Sequence, residues 1–468
     1  MTEKPDKAPS SSPVVVWFRD DLRVADHPAL SEAAKAKQPV ICLYVLDETP
    51  GMRPLGGAAR WWLAGSLRAL AKSLADRGGN LVLRRGTAAD VVAKVADQTG
   101  AAAVHWNRRT DAGAARDDAL EKRLTQQNIS VRTFQGSLLH EPPVLGKSGQ
   151  PLSVFTPFWR TAQARGAPRA PLPAPRKIDG VSGIGSDDLQ SWKLEPTAPD
   201  WAAEMRESWT RGEAGAQERI AQFLDEELSG YTTRRDRPDL PGTSRLSPYL
   251  RFGEISPFQV WHAAQLAAHA DRGKRPRSSD VEKFLSELGW REFAYHLLHR
   301  YPDLATRNID RRFDRFPWRK DTKALRAWQK GETGYPIVDA GMRQLWRTGW
   351  MHNRVRMVVA SFLVKHLLID WRLGEQWFWD TLVDADPANN PASWQWVAGC
   401  GADAAPYFRV FNPTLQAEKF DPNGEYVRAF VPEATAAGSL FGESYPEPIV
   451  DHRAARDRAL KAFASLKS

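Results

Sequence analysis

Val14-Val-Val-Trp-Phe18 and Val40-Ile-Cys-Leu-Tyr-Val-Leu46 are short apolar runs that decide the fold of the first third of the chain. Runs of this length, rich in β-branched and aromatic residues, are typical of buried strands. Three further strand-like runs follow, at 81–83, 103–106 and 130–134, and helix-like segments separate the five, at 28–37, 60–76, 88–98 and 114–127. This alternation predicts a parallel five-stranded sheet with right-handed crossovers, an α/β domain over residues 14–135.

An open α/β sheet binds its ligands beyond the carboxyl ends of its strands. No GxGxxG motif follows the first predicted strand, so the fingerprint of dinucleotide-binding domains is absent there.

The composition changes after the predicted sheet. Residues 165–176 contain four prolines and 180–186 are rich in Gly and Ser, which is typical of a linker. We therefore predict an interdomain linker over 136–204. Helical periodicity then dominates, at 213–228, 257–269, 279–300 and 350–371, and predicts an all-helical domain over 205–468.

The overall composition is that of a globular protein, with 42% hydrophobic and 26% charged residues. A formal charge of +9 permits binding to nucleic acid. Two cysteines without a disulfide framework fit a reducing cytosol, and no apolar run reaches the length of a membrane span. We expect a cytoplasmic protein without a membrane partner, whose residues 1–13 are a disordered lead.

Nine of the 19 tryptophans fall between residues 318 and 396, among arginines, asparagines and paired aspartates. An indole N–H needs a partner when it is buried, so tryptophan is demanding as ordinary core filling. The block indicates either a site for a large planar ligand or surfaces on which bases stack. Core packing remains the default interpretation for any single one of these tryptophans.

Several polar groups in and near this block have two interpretations each. Asn353, Arg356 and Met357 share one face of a predicted helix. They are either ligand contacts or part of a buried helix with a capping amide. The carboxylates of Asp384 and Asp386 are suited to bind a hard cation, ring N–H groups, a ribose hydroxyl or an arginine side chain. Pairing with an arginine is the commonest of these four outcomes.

Two further segments are equally open. The hydroxyls of Thr243-Ser-Arg-Leu-Ser247 precede a helix, where they hold phosphate or merely cap the helix. Glu287 and Arg291 are spaced as a surface salt bridge, with Trp290 placed to stack on a base.

Taken in order, the motifs resemble the photolyase/cryptochrome flavoproteins. The matching segments are 17–23 (Trp-Phe-Arg-Asp-Asp-Leu-Arg), 243–250, 287–293, 333–342, 349–357, 384–396 and 403–413. They span nearly the whole chain, and the two-domain layout is that of the family.

The resemblance implies FAD bound in the helical domain. Asp384 and Asp386 would hold the flavin ring and the sugar side, with Arg356 paired to Asp384, and Asn390 would face flavin N5. An amide at that last position favours the fully reduced flavin, whereas photoreceptor members usually carry Cys or Asp. The full set of implied cofactor contacts is Tyr231, Thr243, Ser244, Arg245, Leu246, Ser247, Phe284, Arg291, Trp350, Asn353, Arg356, Asp384, Ala385, Asp386 and Asn390.

The resemblance also implies repair of UV-damaged DNA by a monomeric enzyme. Glu287 would hydrogen-bond a flipped-out cyclobutane pyrimidine dimer, between walls formed by Trp290 and Trp396. Asn353 and Met357 stand where (6-4) photolyases have two histidines, which argues for cyclobutane dimers. Other implied contacts are to the DNA backbone: Arg235, Arg354, Arg409 and Gln416.

The implied mechanism is light-driven electron transfer from reduced FAD to the dimer, whose two ring bonds split before the electron returns. Trp394, Trp371 and Trp318 match the family's photoreduction chain, in that order outward from the flavin. The alternatives are a (6-4) photolyase or a cryptochrome-type photoreceptor. Only 36 residues follow Pro432, which is short for a signalling tail.

We also expect a second, antenna chromophore, with a folate (MTHF) favoured over a deazaflavin. Asn107-Arg108 and the region of Thr306-Arg307 depart from one folate-binding pattern of the family. Arg60-Trp61-Trp62 offers a different aromatic surface for a pterin, although tryptophans on such a helix are equally typical of core.

Overall fold

The structure is a computed structural model that describes residues 12–111, 113–269, 276–404, 408–434 and 445–467. The first part holds a parallel sheet with strands in the order β3-β2-β1-β4-β5. The strands are β1 (Val14–Phe18), β2 (Val40–Asp47), β3 (Leu81–Gly86), β4 (Ala103–Asn107) and β5 (Ser130–Phe134). All five predicted strands are confirmed. The predicted disordered lead falls largely on residues 1–11, which lie outside the described residues.

Helices cover both faces of this sheet, as the alternating pattern predicts. They are α1 (Pro28–Lys35), α2 (Gly57–Ala75), α3 (Ala88–Gln98) and α4 (Ala114–Gln126). Val15, Ile41 and Val104 pack into one cluster with α3 and α4, while Val14 and Val16 face the opposite side. Because both faces are covered, the inner strands β1, β2 and β4 are buried over nearly their whole length and lack an alternating pattern, whereas the edge strands β3 and β5 are partly exposed.

The stretch that follows the sheet is more ordered than a linker. It contains α5 (Phe155–Gln163) and a 3₁₀ turn (Leu189–Trp192). Phe158 and Ala162 of α5 are fully buried in a cluster with the helical domain. The composition of 165–200 describes an extended chain correctly, but the segment before it packs as part of the helical domain.

The remainder is helical, which confirms the predicted all-α class of the second part. Two π-helical turns follow helices directly, at Phe223–Glu227 and Phe362–His366. The helices are α6 (Ala203–Ser208), α7 (Glu213–Gln222), α8 (Tyr231–Arg234), α9 (Ser247–Arg251), α10 (Pro257–His269), α11 (Ser278–Arg300), α12 (Thr322–Lys330), α13 (Pro336–Thr348), α14 (Asn353–Ser361), α15 (Trp371–Thr381), α16 (Asn389–Ala398), α17 (Pro413–Phe420), α18 (Glu425–Phe430) and α19 (His452–Ala464). Within the described part of the chain, none of these helices has the length and apolar character needed to cross a bilayer.

The prediction of one helix over 350–371 is wrong. His352 caps α14 by accepting a hydrogen bond from the Arg354 N–H, and Asp370 caps α15 in the same way. Between the two helices the chain turns at Leu368, whose φ is +52°. The apolar periodicity runs through this break, and so conceals it. As a result Trp371 begins a new helix.

The two parts of the molecule share one hydrophobic core. Trp61 and Trp62 of α2 lie in the same cluster as Tyr249 and Phe252 of the helical part. The fully buried Arg23 donates to the carbonyl oxygens of Asp26, Gly136 and Gly253, and so joins the two parts at a loop after β1.

Candidate functional site

The segment of Thr243–Ser247, at the start of α9, is a candidate anion site. Arg245 has a left-handed backbone with φ of +51°, and its Nε is enclosed without a hydrogen-bond partner among the described residues. Its guanidinium lies over Trp209 at 4.3 Å and Trp350 at 5.1 Å. Burial lowers the pKa of this guanidinium. An enclosed cation with a free N–H fits a bound phosphate group.

Aromatic rings enclose the neighbouring space. Tyr231 and Phe284 are buried and meet edge to face at 5.6 Å. The Trp350 Nε1–H donates to the Ser247 hydroxyl at 3.3 Å, which links the anion site to the segment before α14. Leu246 is buried beneath this segment. These predicted cofactor residues therefore lie together.

The open question about Asp384 is answered by its contacts. Arg356 donates to both Asp384 carboxylate oxygens, at 3.0 and 2.7 Å, and its Nε donates to the Met351 carbonyl. The pair leaves Asp384 buried at the entrance to α16. Among the described residues, no group of three or more His, Cys, Asp or Glu side chains is arranged to hold a metal ion.

Asp386 is a capping carboxylate. It accepts hydrogen bonds from the backbone N–H groups of Ala388 and Asn389 and from the Asn389 side chain. The Ala385 carbonyl accepts from Arg251, which also pairs with Asp20 after β1. The loop that precedes α16 is thus held in place from both parts of the molecule.

Asn390 has a fixed amide orientation. Its Nδ2 donates both hydrogens to Glu375, one to the carbonyl at 3.0 Å and one to the carboxylate at 2.8 Å. The Asn390 Oδ1 therefore remains as the acceptor that a ligand can meet. Glu375 is in turn held by two hydrogen bonds from Arg53, at 2.7 and 2.8 Å.

Sequence reasoning missed both Glu375 and Arg53. Glu375 carries no motif of its own, and Arg53 lies in a loop after β2, far away along the chain. The guanidinium of Arg53 also lies 4.0 Å from the Trp379 ring centre. Only the folded structure brings these groups to Asn390.

The expected Glu287–Arg291 salt bridge is wrong. Glu287 pairs with Arg235 of the α8 region and with Lys283, one turn earlier in α11, at 3.1 Å. Arg291 donates instead to the Ser137 carbonyl at 2.8 Å and lies over the Tyr295 ring. The Glu287 carboxylate thus lies between two cations and presents acceptor oxygens.

Trp290 and Trp396, the tryptophans predicted as walls of the lesion pocket, are half-buried, so part of each residue is accessible. Trp290 follows Glu287 on α11, and one of its faces is covered by the Phe155 ring at a centroid distance of 3.8 Å. Trp396 lies on α16, with its Nε1–H donating to the Asp403 carbonyl at 3.0 Å. Phe155 and Asp403 were not predicted as site residues.

Three of the four predicted DNA contacts are arginines, Arg235, Arg354 and Arg409, and we call this group the basic rim. Arg354 pairs with Asp236 at 2.8 Å, contacts the Met357 sulfur and lies over the Phe420 ring. Asn353 is exposed at the start of α14, on the face it shares with Met357. Arg409 is exposed and Gln416 half-buried, on either side of the Asn412 cap of α17. Residues 405–407 of the matching 403–413 segment lie outside the described residues.

The three tryptophans of the predicted chain lie on three separate segments. Trp394 packs against Gly374 of α15, where a Cβ would overlap its ring. Trp371, at the start of α15, is buried and donates to Asn308 at 2.9 Å. Trp318 is half-buried beside the turn that precedes Trp371, where the Arg319 N–H donates to the Leu368 carbonyl.

The expectation of an aromatic surface at Arg60-Trp61-Trp62 is wrong. Both indoles are fully buried because they form the inner face of α2. Arg108 pairs with Glu141, and Arg307 pairs with Asp303. A cavity of about 260 Å³ lies elsewhere, at the carboxyl ends of the strands, lined by Trp17, Asp47, Thr87, Arg109, Arg116 and Arg123 among others.

Together, the fold and these subsites define a two-domain protein with a place for a large planar ligand that carries phosphate, beside a basic rim. Two family models match the chain. The model described as "DNA photolyase" matches residues 14–176, and that described as "FAD binding domain of DNA photolyase" matches residues 284–465.

Relatives match over nearly the full length. A deoxyribodipyrimidine photo-lyase of Agrobacterium fabrum is 51% identical, with 98% of each chain covered. Cryptochrome-1 of Arabidopsis thaliana is 37% identical, over 97% of this chain and 70% of the relative. The chain therefore belongs to the photolyase/cryptochrome family, and its helical part is the family's FAD-binding domain.

Solved structures agree with this assignment. The crystal structure of a bacterial class III photolyase from Agrobacterium tumefaciens has a TM-score of 0.93 and 50% identity, over 98% of this chain and 99% of the other. An archaeal photolyase from Sulfolobus tokodaii, described with two FAD molecules and a novel light-harvesting cofactor, has a TM-score of 0.80 and 28% identity, over 97% and 100%.

Proposed function

We propose that this protein is a light-driven DNA repair enzyme, a deoxyribodipyrimidine photo-lyase that splits cyclobutane pyrimidine dimers with the help of reduced FAD. One observation carries the proposal. Helix α11 presents an ion-paired carboxylate, Glu287, and an indole, Trp290, in contact with the start of α16, which carries Asn390. A lesion bound by the first two groups is thereby adjacent to a cofactor held by the third.

The residues present fit FAD. Arg245 offers an enclosed cation with a free N–H for the pyrophosphate, and the buried Arg356–Asp384 pair holds a carboxylate toward the ring system. The Asn390 Oδ1, left as an acceptor by Glu375, suits the N5–H that only a reduced flavin carries. That match favours reduced flavin, which includes the repair-competent form, over oxidised flavin.

FAD would supply one electron to the dimer on absorbing light and take it back after both ring bonds have split. The protein binds and orients. The carboxylate of Glu287 accepts a hydrogen bond from a pyrimidine N–H, while the indoles of Trp290 and Trp396 confine the flipped-out bases. Arg235 and Lys283, next to Glu287, offset the negative charge that the dimer carries for that interval.

The choice of lesion rests on α14. Asn353 and Met357 share the face that opens toward the basic rim. Neither side chain exchanges a proton near neutral pH, so this face lacks the proton-transfer groups that repair of (6-4) products requires in the family. Cyclobutane splitting needs no such proton transfer, and is the reaction that this pair of residues suits.

We also propose that a second chromophore occupies the cavity at the carboxyl ends of the strands, with a folate favoured over a deazaflavin. The Nη1 atom of Arg116, which lines this cavity, is buried without a hydrogen-bond partner among the described residues. A folate brings glutamate carboxylates that would pair with such a guanidinium. Release of the bound chromophores by denaturation, followed by absorption and mass spectra, identifies the molecule.

The test of the proposed function is repair of an oligonucleotide with one thymine cyclobutane dimer, using the FAD-loaded, reduced protein with a dark control. We expect intact thymines to return only in light. Glu287→Ala should keep FAD but lose repair efficiency by about tenfold, since a hydrogen bond to a charged group is removed. Glu282→Ala, an exposed carboxylate on the same helix, should repair normally. An absence of repair by reduced protein would overturn the proposal, and a (6-4) substrate would then separate the two alternatives.

A further inference from the structure

The segment between the sheet and α5 is bound along one face of α11. Glu292 is buried and accepts hydrogen bonds from the backbone N–H groups of Leu139 and His140, at 3.0 and 2.9 Å. The neighbouring Arg291 donates to the Ser137 carbonyl. One turn later the Val144 N–H donates to His296 Nδ1, and His296 Nε2 lies 2.7 Å from the Leu152 carbonyl oxygen. Two turns later Arg300 donates to the Pro151 carbonyl and the Ser153 hydroxyl. This segment is thus fixed to the helix that carries Glu287.

Helix α5 then docks on α11 at Gly289. The Trp159 ring lies so close that a Cβ on Gly289 would be 2.7 Å from it. Gly289 immediately precedes Trp290, so the docking point of α5 is next to a wall of the proposed lesion pocket. Phe158 packs on Phe293 one turn further along, at 5.2 Å between ring centroids. The absence of a side chain at Gly289 is what permits this approach.

Phe155, the first residue of α5, contacts Trp290 directly and is linked to Trp396 through Asp403. The Phe155 ring is stacked on Trp290 at 3.8 Å with an angle of 7° between the ring planes. The Phe155 N–H donates to the Asp403 carboxylate at 3.4 Å, and the Asp403 carbonyl accepts from Trp396 Nε1 at 3.0 Å. Phe155 thus covers one face of Trp290, an indole that remains half-buried overall.

We propose that Phe155 is a positioning residue of the lesion pocket, which fixes the plane of Trp290 and ties it through Asp403 to Trp396. The inference rests on the proposed function. Two indoles confine a flipped-out dimer only when their separation is set in advance, since ordering them on binding would cost affinity. The effect is specific to the lesion, because contacts to the DNA backbone come from arginines elsewhere on the rim.

The experiment compares affinity for an oligonucleotide with one cyclobutane dimer and for the same oligonucleotide undamaged, using FAD-loaded protein in the dark. Phe155→Leu keeps apolar bulk but removes the stacked ring, and should weaken binding of the damaged DNA about three- to tenfold. Affinity for undamaged DNA and FAD content should not change. Phe155→Tyr restores a ring and should restore binding of the damaged DNA. Val154→Thr, at the exposed neighbouring position, is the matched control.

A second variant reaches the same contact from the other side. Gly289→Ala places a methyl group against Trp159 and should displace α5, with the same loss confined to damaged DNA. It replaces Phe155→Leu if that variant does not fold. Equal losses for both DNAs, or no loss in a folded variant, would overturn the inference. Failure of the proposed function would give a different result, because the unmodified protein would then bind the damaged and the undamaged oligonucleotide with equal affinity.

Discussion

Arg245 combines three features that each cost free energy in a protein without a ligand. Its backbone is left-handed, which is strained for a residue with a Cβ. Its Nε is enclosed without a partner among the described residues, and burial lowers its pKa. Stacking on Trp209 and Trp350 offsets only part of that cost. Such a combination is expected where a bound anion offsets the free-energy cost of the enclosed cation.

We therefore predict that Arg245→Ala weakens FAD binding by about 10- to 100-fold, the loss of one or more charge-assisted hydrogen bonds. The FAD-free variant should be at least as stable to heat as the FAD-free parent protein, because the desolvation of the buried guanidinium is removed with the side chain, although alanine keeps the left-handed backbone strain. Cofactor titration and thermal unfolding measure the two effects. Arg206→Ala, an exposed arginine of α6, is the control and should change neither. Unchanged FAD affinity would exclude Arg245 from the phosphate site.

At the scale of single residues, sequence predicts the Arg356–Asp384 pair but not the partners of Glu287. The spacing of Glu287 and Arg291 permits a bridge along one helix, yet Arg235, brought in by the turn of α8, takes the carboxylate. Local spacing carries no information about competitors from other elements. Glu375 and Arg53 were missed for the same reason, because their contacts to Asn390 and to each other exist only in the folded chain.

Among the secondary-structure elements, the break between α14 and α15 matters most to the proposed function. The turn at Leu368 places Trp371 at the start of α15, where its indole donates to Asn308 and is fully buried. Gly374, one turn later, is in contact with the Trp394 ring. The break thus places the middle tryptophan of the proposed chain one turn before Gly374, which contacts the inner one.

We predict that Trp371→Phe abolishes light-driven reduction of the oxidised flavin, because phenylalanine is much harder to oxidise than tryptophan. Repair by chemically reduced protein should remain normal, since the chain serves activation only. The measurement is the bleaching of flavin absorption under blue light with an external reductant, beside a repair assay after dithionite treatment. Persisting photoreduction would indicate another route, such as Trp350 or the exposed Trp346, which stacks on Trp377.

Sequence predicts the type of these elements well and their ends less well. The inner strands β1, β2 and β4 follow from apolar composition, because burial on both faces leaves little choice of residue. The more polar edge strands β3 and β5 follow from the alternation of strands with helices. The α14–α15 break was missed because its caps, His352 and Asp370, are recognised only by the hydrogen bonds that they make. Helix α5 was missed because its short sequence, although amphipathic, is followed by proline-rich chain.

At the scale of the whole molecule, the two parts meet across a buried carboxylate. Glu254 accepts hydrogen bonds from the Trp62 indole and the Ser66 hydroxyl of α2, at 3.0 and 2.6 Å. It also accepts from the Gly212 N–H of the helical part, at 2.7 Å. Burial raises the pKa of Glu254 to about 7, and the three donors and the nearby Arg211 only partly oppose that rise. The composition of the chain indicated two domains but not this shared interior.

The raised pKa predicts how stability depends on pH. Between pH 4.5 and 7 the folded protein holds a proton on Glu254 that the unfolded chain has released, so this group makes the folded state less stable as pH rises. Its contribution should change by about 3 kcal/mol across that window and then stay constant. Glu254→Gln removes the titration but keeps the size of the side chain and one acceptor oxygen.

We predict that the free energy of unfolding of FAD-free Glu254→Gln rises relative to that of the parent protein by about 3 kcal/mol between pH 5 and pH 8. Denaturant unfolding at several pH values gives this difference directly. Other groups that titrate in the window, such as the buried Glu292, are common to both proteins and cancel. Parallel pH profiles would mean that Glu254 is ionised equally in both states, and that the interface between the two parts tolerates a buried charge.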